Sequence, residues 1–249
     1  MSIYIKSEKE IQGIRISGRI VAETLEYIKD YLQPETTLTE IENLCAEFII
    51  KHSAIPAFKG YHSFPANVCI SVNNEVVHGI PNGRKIKPGD LVKIDVGVLK
   101  DGFYADGART FPIGNIDANL QKLLAVTEKS LYLGIDQARD GNRLGDISSA
   151  IQQYVETHGF SVVRELTGHG VGIELHEEPL IPNFGLADQG IILQKGMTLA
   201  IEPMVNIGSY EVLTQDNKWT VVTKDGLASA HFEHTILVTD NKPEILTRK

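Results

Sequence analysis

Asp95 and Asp106 stand in the two arms of "KIDVGVLKDGFYADGARTF" (93–111), each interrupting a run that otherwise alternates or stays apolar. Aspartate is disfavoured in strands and costly to bury without a partner. The Asp101-Gly102 pair between the arms suits a two-residue type I′ turn. With that loop, Lys100 pairs with Phe103, Asp95 falls opposite Ala108, and Asp106 becomes its diagonal neighbour on the same face. An even shift of register keeps the two acids together, whereas an odd slip sends them to opposite faces. Carboxylates held that close repel, so such a face requires a cation or a shared proton. For either acid alone, the other reading is a solvated position on an exposed sheet face.

Three further stretches supply hard ligands in extended settings. "ELTGHGVGIELHEEP" carries His169, flanked by glycines that would let backbone and substrate approach closely, and His176 seven residues on. "MTLAIEPMV" carries Glu202 directly before a proline, and "SAHFEHTILV" carries Glu233 in an alternating strand. Singly, a histidine or a strand glutamate is more simply a satisfied or solvated group. Jointly, two Asp, two Glu and one His form an oxygen-rich, hard donor set. Four carboxylates balance two divalent cations, and bridging carboxylates hold such ions about 3.5–4 Å apart. A pair of that kind acidifies a bridging water and polarises a carbonyl, so the indicated chemistry is metal-assisted hydrolysis. Thiolate-type structural zinc is excluded, because neither Cys45 nor Cys69 belongs to a paired motif. No GxSxG elbow, Walker A loop or HExxH helix occurs, and Cys69 reads as a small buried or pocket-wall residue.

The elements that must position these groups are legible from periodicity. Ile11, Ile14, Gly18, Val21, Leu25, Ile28 and Leu32 mark one face of a helix over 7–32, opened by a Ser7/Glu10 capping box. Thr37 and Glu40 open a second helix at Leu38, with Ile41, Cys45, Phe48 and Ile49 inward. Helical patterns return over about 117–140 and 144–158, and most of the rest is strand and turn. The second half repeats the first. "TLTEIENLCAEFIIKHS" (37–53) lies over "RLGDISSAIQQYVETHG" (143–159), and "KPGDLVKIDVG" lies over "QKGMTLAIEPM", setting Gly89 on Gly196 and Asp95 on Glu202. The expectation is an α+β fold: a duplicated unit, halves at roughly 1–110 and 111–249 of a single domain 1–249, sharing one curved antiparallel sheet with helices on its outer face.

Composition bounds the function classes. A net charge of -8 argues against a nucleic-acid footprint over the surface. The first 19 residues hold no apolar h-region, and no run of 18 apolar residues occurs to span a membrane. Two unpaired-looking cysteines suit a reducing compartment, so the expected location is cytoplasmic.

The set "GYHSFPANVCISVNNEVVHGIP", "IDVGVLKDGFYADGARTF", "GHGVGIELHEEP", "IEPMV" and "FEHTILV", in this order and over nearly the whole chain, resembles the type I methionine aminopeptidases, which are pita-bread metallopeptidases. The resemblance implies removal of the initiator methionine from nascent chains, with a small second residue preferred. It implies two divalent ions (Co²⁺, Mn²⁺, Fe²⁺ or Zn²⁺) held by Asp95, Asp106, His169, Glu202 and Glu233. Asp106 and Glu233 would bridge, Asp95 would chelate one ion, and His169 and Glu202 would complete the other, with Glu202 also moving the water's proton. His78 would assist at the leaving nitrogen and His176 would stabilise the oxyanion. Tyr61, Phe64, Cys69 and Trp219 would build the methionine pocket. Phe58 and Leu175 depart from a common bacterial pattern, in which a small Cys and an aromatic are often found, and so bear on the pocket's size. The absence of a Cys-rich extension before the first helix, and of a helical insertion before "IEPMV", points to the short bacterial or organellar form. The implied partners are N-terminal methionine peptides near the ribosome, with no DNA or membrane, and the implied state is a monomer. Two rivals share the fold: a proline-directed peptidase of the prolidase or aminopeptidase P kind, which keeps the five ligands but usually carries an additional N-terminal domain, and a metal-free pita-bread protein that binds RNA or ribosomes, whose mark would be the loss of one or more ligands.

Overall fold

The computed structural model describes residues 3–248, so positions 1, 2 and 249 of the expected domain lie outside the described residues. Its helices are α1 (Glu8–Lys29), α2 (Leu38–Lys51), α3 (Ala118–Gln137) and α4 (Leu144–Thr157). The first-half strands are β1 (Ile55–Pro56), β2 (Cys69–Val72), β3 (Glu75–Val77), β4 (Leu91–Lys100) and β5 (Phe103–Pro112). The second half adds β6 (Ser161–Val162), β7 (Thr167–Gly170), β8 (Glu177–Pro182), β9 (Thr198–Ile201) and β10 (Met204–Asn206). It closes with β11 (Val212–Thr214), β12 (Val221–Thr223), β13 (Ser229–His231), β14 (His234–Leu237) and β15 (Glu244–Ile245). The fold is α+β.

Local sequence rules account for the helices. The Glu10 carboxylate accepts both the Ser7 N–H and the Ser7 hydroxyl at 2.7 Å, and Glu40 takes the Thr37 N–H at 2.7 Å while Thr37 Oγ1 accepts from Glu40 N. Ile11, Ile14, Val21, Leu25 and Ile28 are all buried against the sheet, each stabilising the fold by about 1.5–3 kcal/mol. Gly18 is small because a Cβ there would lie 2.6 Å from the Leu246 carbonyl oxygen. α1 stops at Lys29 and not at residue 32 as its periodicity suggests. The chain tightens into i→i−3 bonds at Tyr31 and Leu32, just ahead of Pro34, which disfavours helical backbone in its predecessor.

The halves repeat in detail. α2 and α4 are both 14 residues long, and both open with an acid at the third position bonded back to the cap. Both end at a histidine whose Nδ1 meets a carbonyl four residues back, His52 on Phe48 (2.8 Å) and His158 on Tyr154 (2.7 Å). Gly89 and Gly196 share φ 91°, the left-handed region that favours glycine.

Among the described residues the strands form four ladders and not one continuous sheet. β4 lies between β1 and β2 on one edge and β5 on the other, while β15, β14, β9, β7 and β8 form the largest ladder. Between β5 and residues 231–235 the antiparallel register continues, but threonine side chains hold it open. Thr235 Oγ1 accepts from Asp106 N (3.0 Å) and donates to Asp106 O (2.7 Å). Glu233 N donates directly to Ala108 O (2.9 Å). Thr110 Oγ1 accepts from His231 N (2.9 Å) and donates to His231 O (2.7 Å). A second stitch is Lys93, only 1% exposed, whose Nζ donates to Asn73 O (2.8 Å) and Ser229 O (2.9 Å). Both stitches join the halves at the point where the acids lie.

Candidate metal centre

The hairpin register agrees with the turn-based count: Lys100 pairs with Phe103, Asp95 with Ala108 and Gly97 with Asp106. Asp101 and Gly102 both have positive φ, 50° and 86°, as a type I′ loop requires. Asp95 and Asp106 therefore share a face, and both line one cavity of about 390 Å³. His169 reaches it from β7, Glu202 from the residue after β9, and Glu233 from the junction of β13 and β14. Five ligand-type side chains from both halves thus converge on one wall.

Their geometry suits cations. Ligand atoms of Asp106, His169 and Glu233 all lie within 4.8 Å of one another, as do those of Glu202, His231 and Glu233. His169 Nε2 is 3.5 Å from Glu202 Oε1. His169 Nδ1 is 2.9 Å from Gly170 O, which makes Nδ1 the donor and leaves the Nε2 lone pair facing the cavity. Among the described residues, the buried side-chain atoms without a hydrogen-bond partner include Asp95 Oδ1, Glu233 Oε1 and His231 Nε2. A buried polar atom left unpaired is costly, and the two carboxylate oxygens among them fit a site built for divalent cations.

The electrostatics agree. Burial, then repulsion from neighbouring acids, holds Asp95, Glu202 and Glu233 well above the usual carboxylate range. Burial also raises Asp106 to about 7, against the pull of the Gly107 N–H. Burial lowers His169 to about 4 and His231 to about 3. A cluster of acids that resists ionising on its own, beside neutral imidazoles, is what cations would relieve.

The remaining predicted residues fall around the same cavity. Phe64 and Cys69 are buried, while Tyr61 and Trp219 are partly so, and all four line it. Phe64 meets the Trp219 ring edge-on at 5.0 Å. Cys69 pairs with Asp95 across β2 and β4; burial and the acids push its thiol well up, so it stays protonated and is no nucleophile. Phe58 and Leu175 are buried in the same apolar cluster as Phe64 and Cys69. His176 reaches solvent at the mouth, with its ring 4.2 Å from that of His169 and 5.0 Å from that of Tyr61. His78 follows β3 with φ 57°, a strained position of the kind found at functional sites.

The glycines beside His169 admit neighbouring backbone, as expected: a Cβ at Gly168 would lie 2.4 Å from Ala200 O, and one at Gly170 2.4 Å from Glu178 O. His231, which no sequence motif above marks, also reaches the site, its Nε2 lying 3.4 Å from Glu202 Oε2. The available signal was its spacing of two from Glu233, which in an extended chain sets both on one face.

Comparison with known proteins narrows the assignment. Residues 12–240 match the family described as metallopeptidase family M24. A methionine aminopeptidase of Clostridium perfringens is 53% identical over 245 residues, covering 98% of each chain. Methionine aminopeptidase 1 of Bacillus subtilis is 51% identical over 99% of each. The crystal structure of the Thermotoga maritima methionine aminopeptidase superposes with a TM-score of 0.98, 46% identity and 100% coverage of both chains. A prolidase from Pyrococcus furiosus shares the fold at TM-score 0.80 but only 22% identity, and this chain covers 65% of its length. In sequence, fold and the convergence of its acids, the chain belongs to metallopeptidase family M24, among the methionine aminopeptidases.

Proposed function

We propose that this enzyme hydrolyses the first peptide bond of chains that begin with methionine, using two divalent cations held by Asp95, Asp106, His169, Glu202 and Glu233. The observation that carries the reading is the convergence of those five side chains, drawn from both halves, on one cavity whose remaining lining is mainly apolar and aromatic. In this reading Asp106 and Glu233 would be shared by the two ions, Asp95 would help to hold one, and His169 and Glu202 would help to hold the other. The halves, roughly 1–110 and 111–249, then act as a single catalytic domain. Bound there, the cations supply an acidified water and a polarised scissile carbonyl.

The protein side chains do the rest. Glu202 takes the proton of the attacking water and returns it to the departing nitrogen, with His78 assisting at that atom. His176 donates an N–H to the carbonyl oxygen as negative charge develops. Partial desolvation and the nearby imidazoles of His169, His78 and His62 push its pKa down, so it acts as a neutral donor. Tyr61, Phe64, Cys69 and Trp219 receive the methionine side chain, whose polarisable thioether suits an aromatic wall. The substrates are nascent chains with a small second residue, met near the ribosome in the cytoplasm by a monomer. No helix among the described residues is long and apolar enough to cross a membrane. Cofactor choice among Co²⁺, Mn²⁺, Fe²⁺ and Zn²⁺ follows availability.

The test is cleavage of Met-Ala-Ser and Met-Lys-Ser beside an Xaa-Pro peptide, each with and without added metal. Metal-dependent release of methionine, faster from Met-Ala-Ser, is expected. Cleavage of the Xaa-Pro peptide with Met-Ala-Ser left intact would replace this reading by the prolidase one.

A further inference from the structure

The wall that holds Glu202 contains one buried group with no part in the scheme above. His231 ends β13 and is 2% exposed, and its Nε2 has no hydrogen-bond partner. Glu202 lies between two imidazoles: Oε1 is 3.5 Å from His169 Nε2, and Oε2 is 3.4 Å from His231 Nε2. The two imidazoles differ in one respect that decides their roles. His169 lines the cavity together with Glu202, whereas His231 is absent from its lining and so stands behind the carboxylate, away from substrate.

The backbone holds that arrangement in register. His231 pairs with Met204, two residues beyond Glu202, and Thr110 grips both its N–H and its carbonyl, at 2.9 and 2.7 Å. Thr110 belongs to β5, the strand of Asp106. The chain segments that carry Asp106, Glu202 and Glu233 therefore all fix where the His231 ring stands.

We propose that His231 is a positioning residue for Glu202: its Nε2–H donates to Oε2 from behind and leaves Oε1 turned to the cavity beside His169. At 3.4 Å the contact is longer than a formed N–H···O bond. A small rotation of the carboxylate would close it. The donor then fixes the orientation of the carboxylate that moves the proton, which is the usual work of groups placed behind a metal ligand. The inference rests on the two-metal reading and deepens it.

The experiment compares wild type with His231→Leu, which removes the donor, and His231→Gln, which keeps an N–H. Each full-length protein is titrated with Mn²⁺ by calorimetry and assayed on Met-Ala-Ser at saturating Mn²⁺. His231→Leu should weaken Mn²⁺ binding and lower kcat, each by about 10–100-fold, with KM nearly unchanged, while His231→Gln stays within about threefold of wild type. Wild-type affinity and kcat in His231→Leu would overturn the proposal. So would a folded His231→Gln as impaired as a variant without any donor, since that points to the ring as a metal ligand. If His231→Leu fails to fold, His231→Gln against wild type still decides. Failure of wild type to bind Mn²⁺ at all would instead remove the two-metal reading, so the two failures are told apart.

Discussion

Replacing Gly97 by alanine should narrow the methionine pocket by pressing on Phe58, a residue outside the proposed ligand set. Gly97 lies in mid-β4, paired with Asp106. A Cβ there would stand 2.4 Å from Cε1, 2.9 Å from Cδ1 and 3.0 Å from Cζ of Phe58. Carbon–carbon contact is favourable from about 3.5 Å outward, so the ring must retreat by roughly 1 Å. Phe58 is 7% exposed and packed with Phe64, Cys69 and Leu175, which leaves the cavity as its open side. Overpacking of this kind costs about 1–3 kcal/mol, and alanine at a strand glycine returns about 0.5–1 kcal/mol. The net loss is then about 0–2.5 kcal/mol, read from urea unfolding. A pocket short by about one methylene discriminates by roughly 10–200-fold, so kcat/KM on Met-Ala-Ser should fall at least about tenfold. The loss should be smaller on the analogue that begins with norvaline, whose side chain is shorter. Adding Phe58→Ala should restore the methionine preference. A folded Gly97→Ala variant with an unchanged methionine-to-norvaline ratio would refute the reasoning, because the ring would then have found room elsewhere.

Glu202→Gln keeps the shape of a carboxyl whose pKa burial and the neighbouring Asp106 hold well above the usual carboxylate range in the metal-free protein; its metal-free Tm should stay close to wild type while kcat falls about 10²–10⁴-fold at saturating metal, and near-normal turnover would take Glu202 off the proton path. Asp106 titrates near 7 in the metal-free fold against 3.8 for a free aspartate, so its contribution to metal-free stability is present below about 3.8 and lost as pH rises through about 7. Cations replace those protons, so the gain in Tm on adding Mn²⁺ should grow from pH 5 to pH 8, and calorimetry in buffers of different ionisation enthalpy should show proton release; no release at pH 6 would count against the raised acids. Lys93→Met removes the amino group that joins Asn73 O to Ser229 O, a group whose pKa burial lowers to about 7; at pH 6, where it is mostly charged, a loss of about 1.5–3 kcal/mol is expected for hydrogen bonds to a charged group, and an unchanged or higher Tm would show that its desolvation cancels them.

What the chain writes locally is legible without coordinates. The capping boxes at Ser7/Glu10 and Thr37/Glu40 act over three residues, and the Asp101-Gly102 turn sets the β4–β5 register over the next ten pairs, so helix starts and the shared face of Asp95 and Asp106 follow from neighbours in sequence. The five candidate ligands stand out because each is a costly side chain inside a strand pattern, and the duplicated unit keeps its caps and its left-handed glycines. Tertiary structure alone decided the rest. The proximity of His231 to Glu202 depends on β10 pairing with β13, and the threonine-held seam joins positions more than 120 residues apart. The glycines beside His169 answer to carbonyls of β9 and β8, and Gly97 answers to a ring from the segment after β1. The division into four ladders and the burial of Lys93 likewise arise from packing between distant segments. Periodicity says which face of an element turns inward. Only the pairing of remote strands says what that face meets.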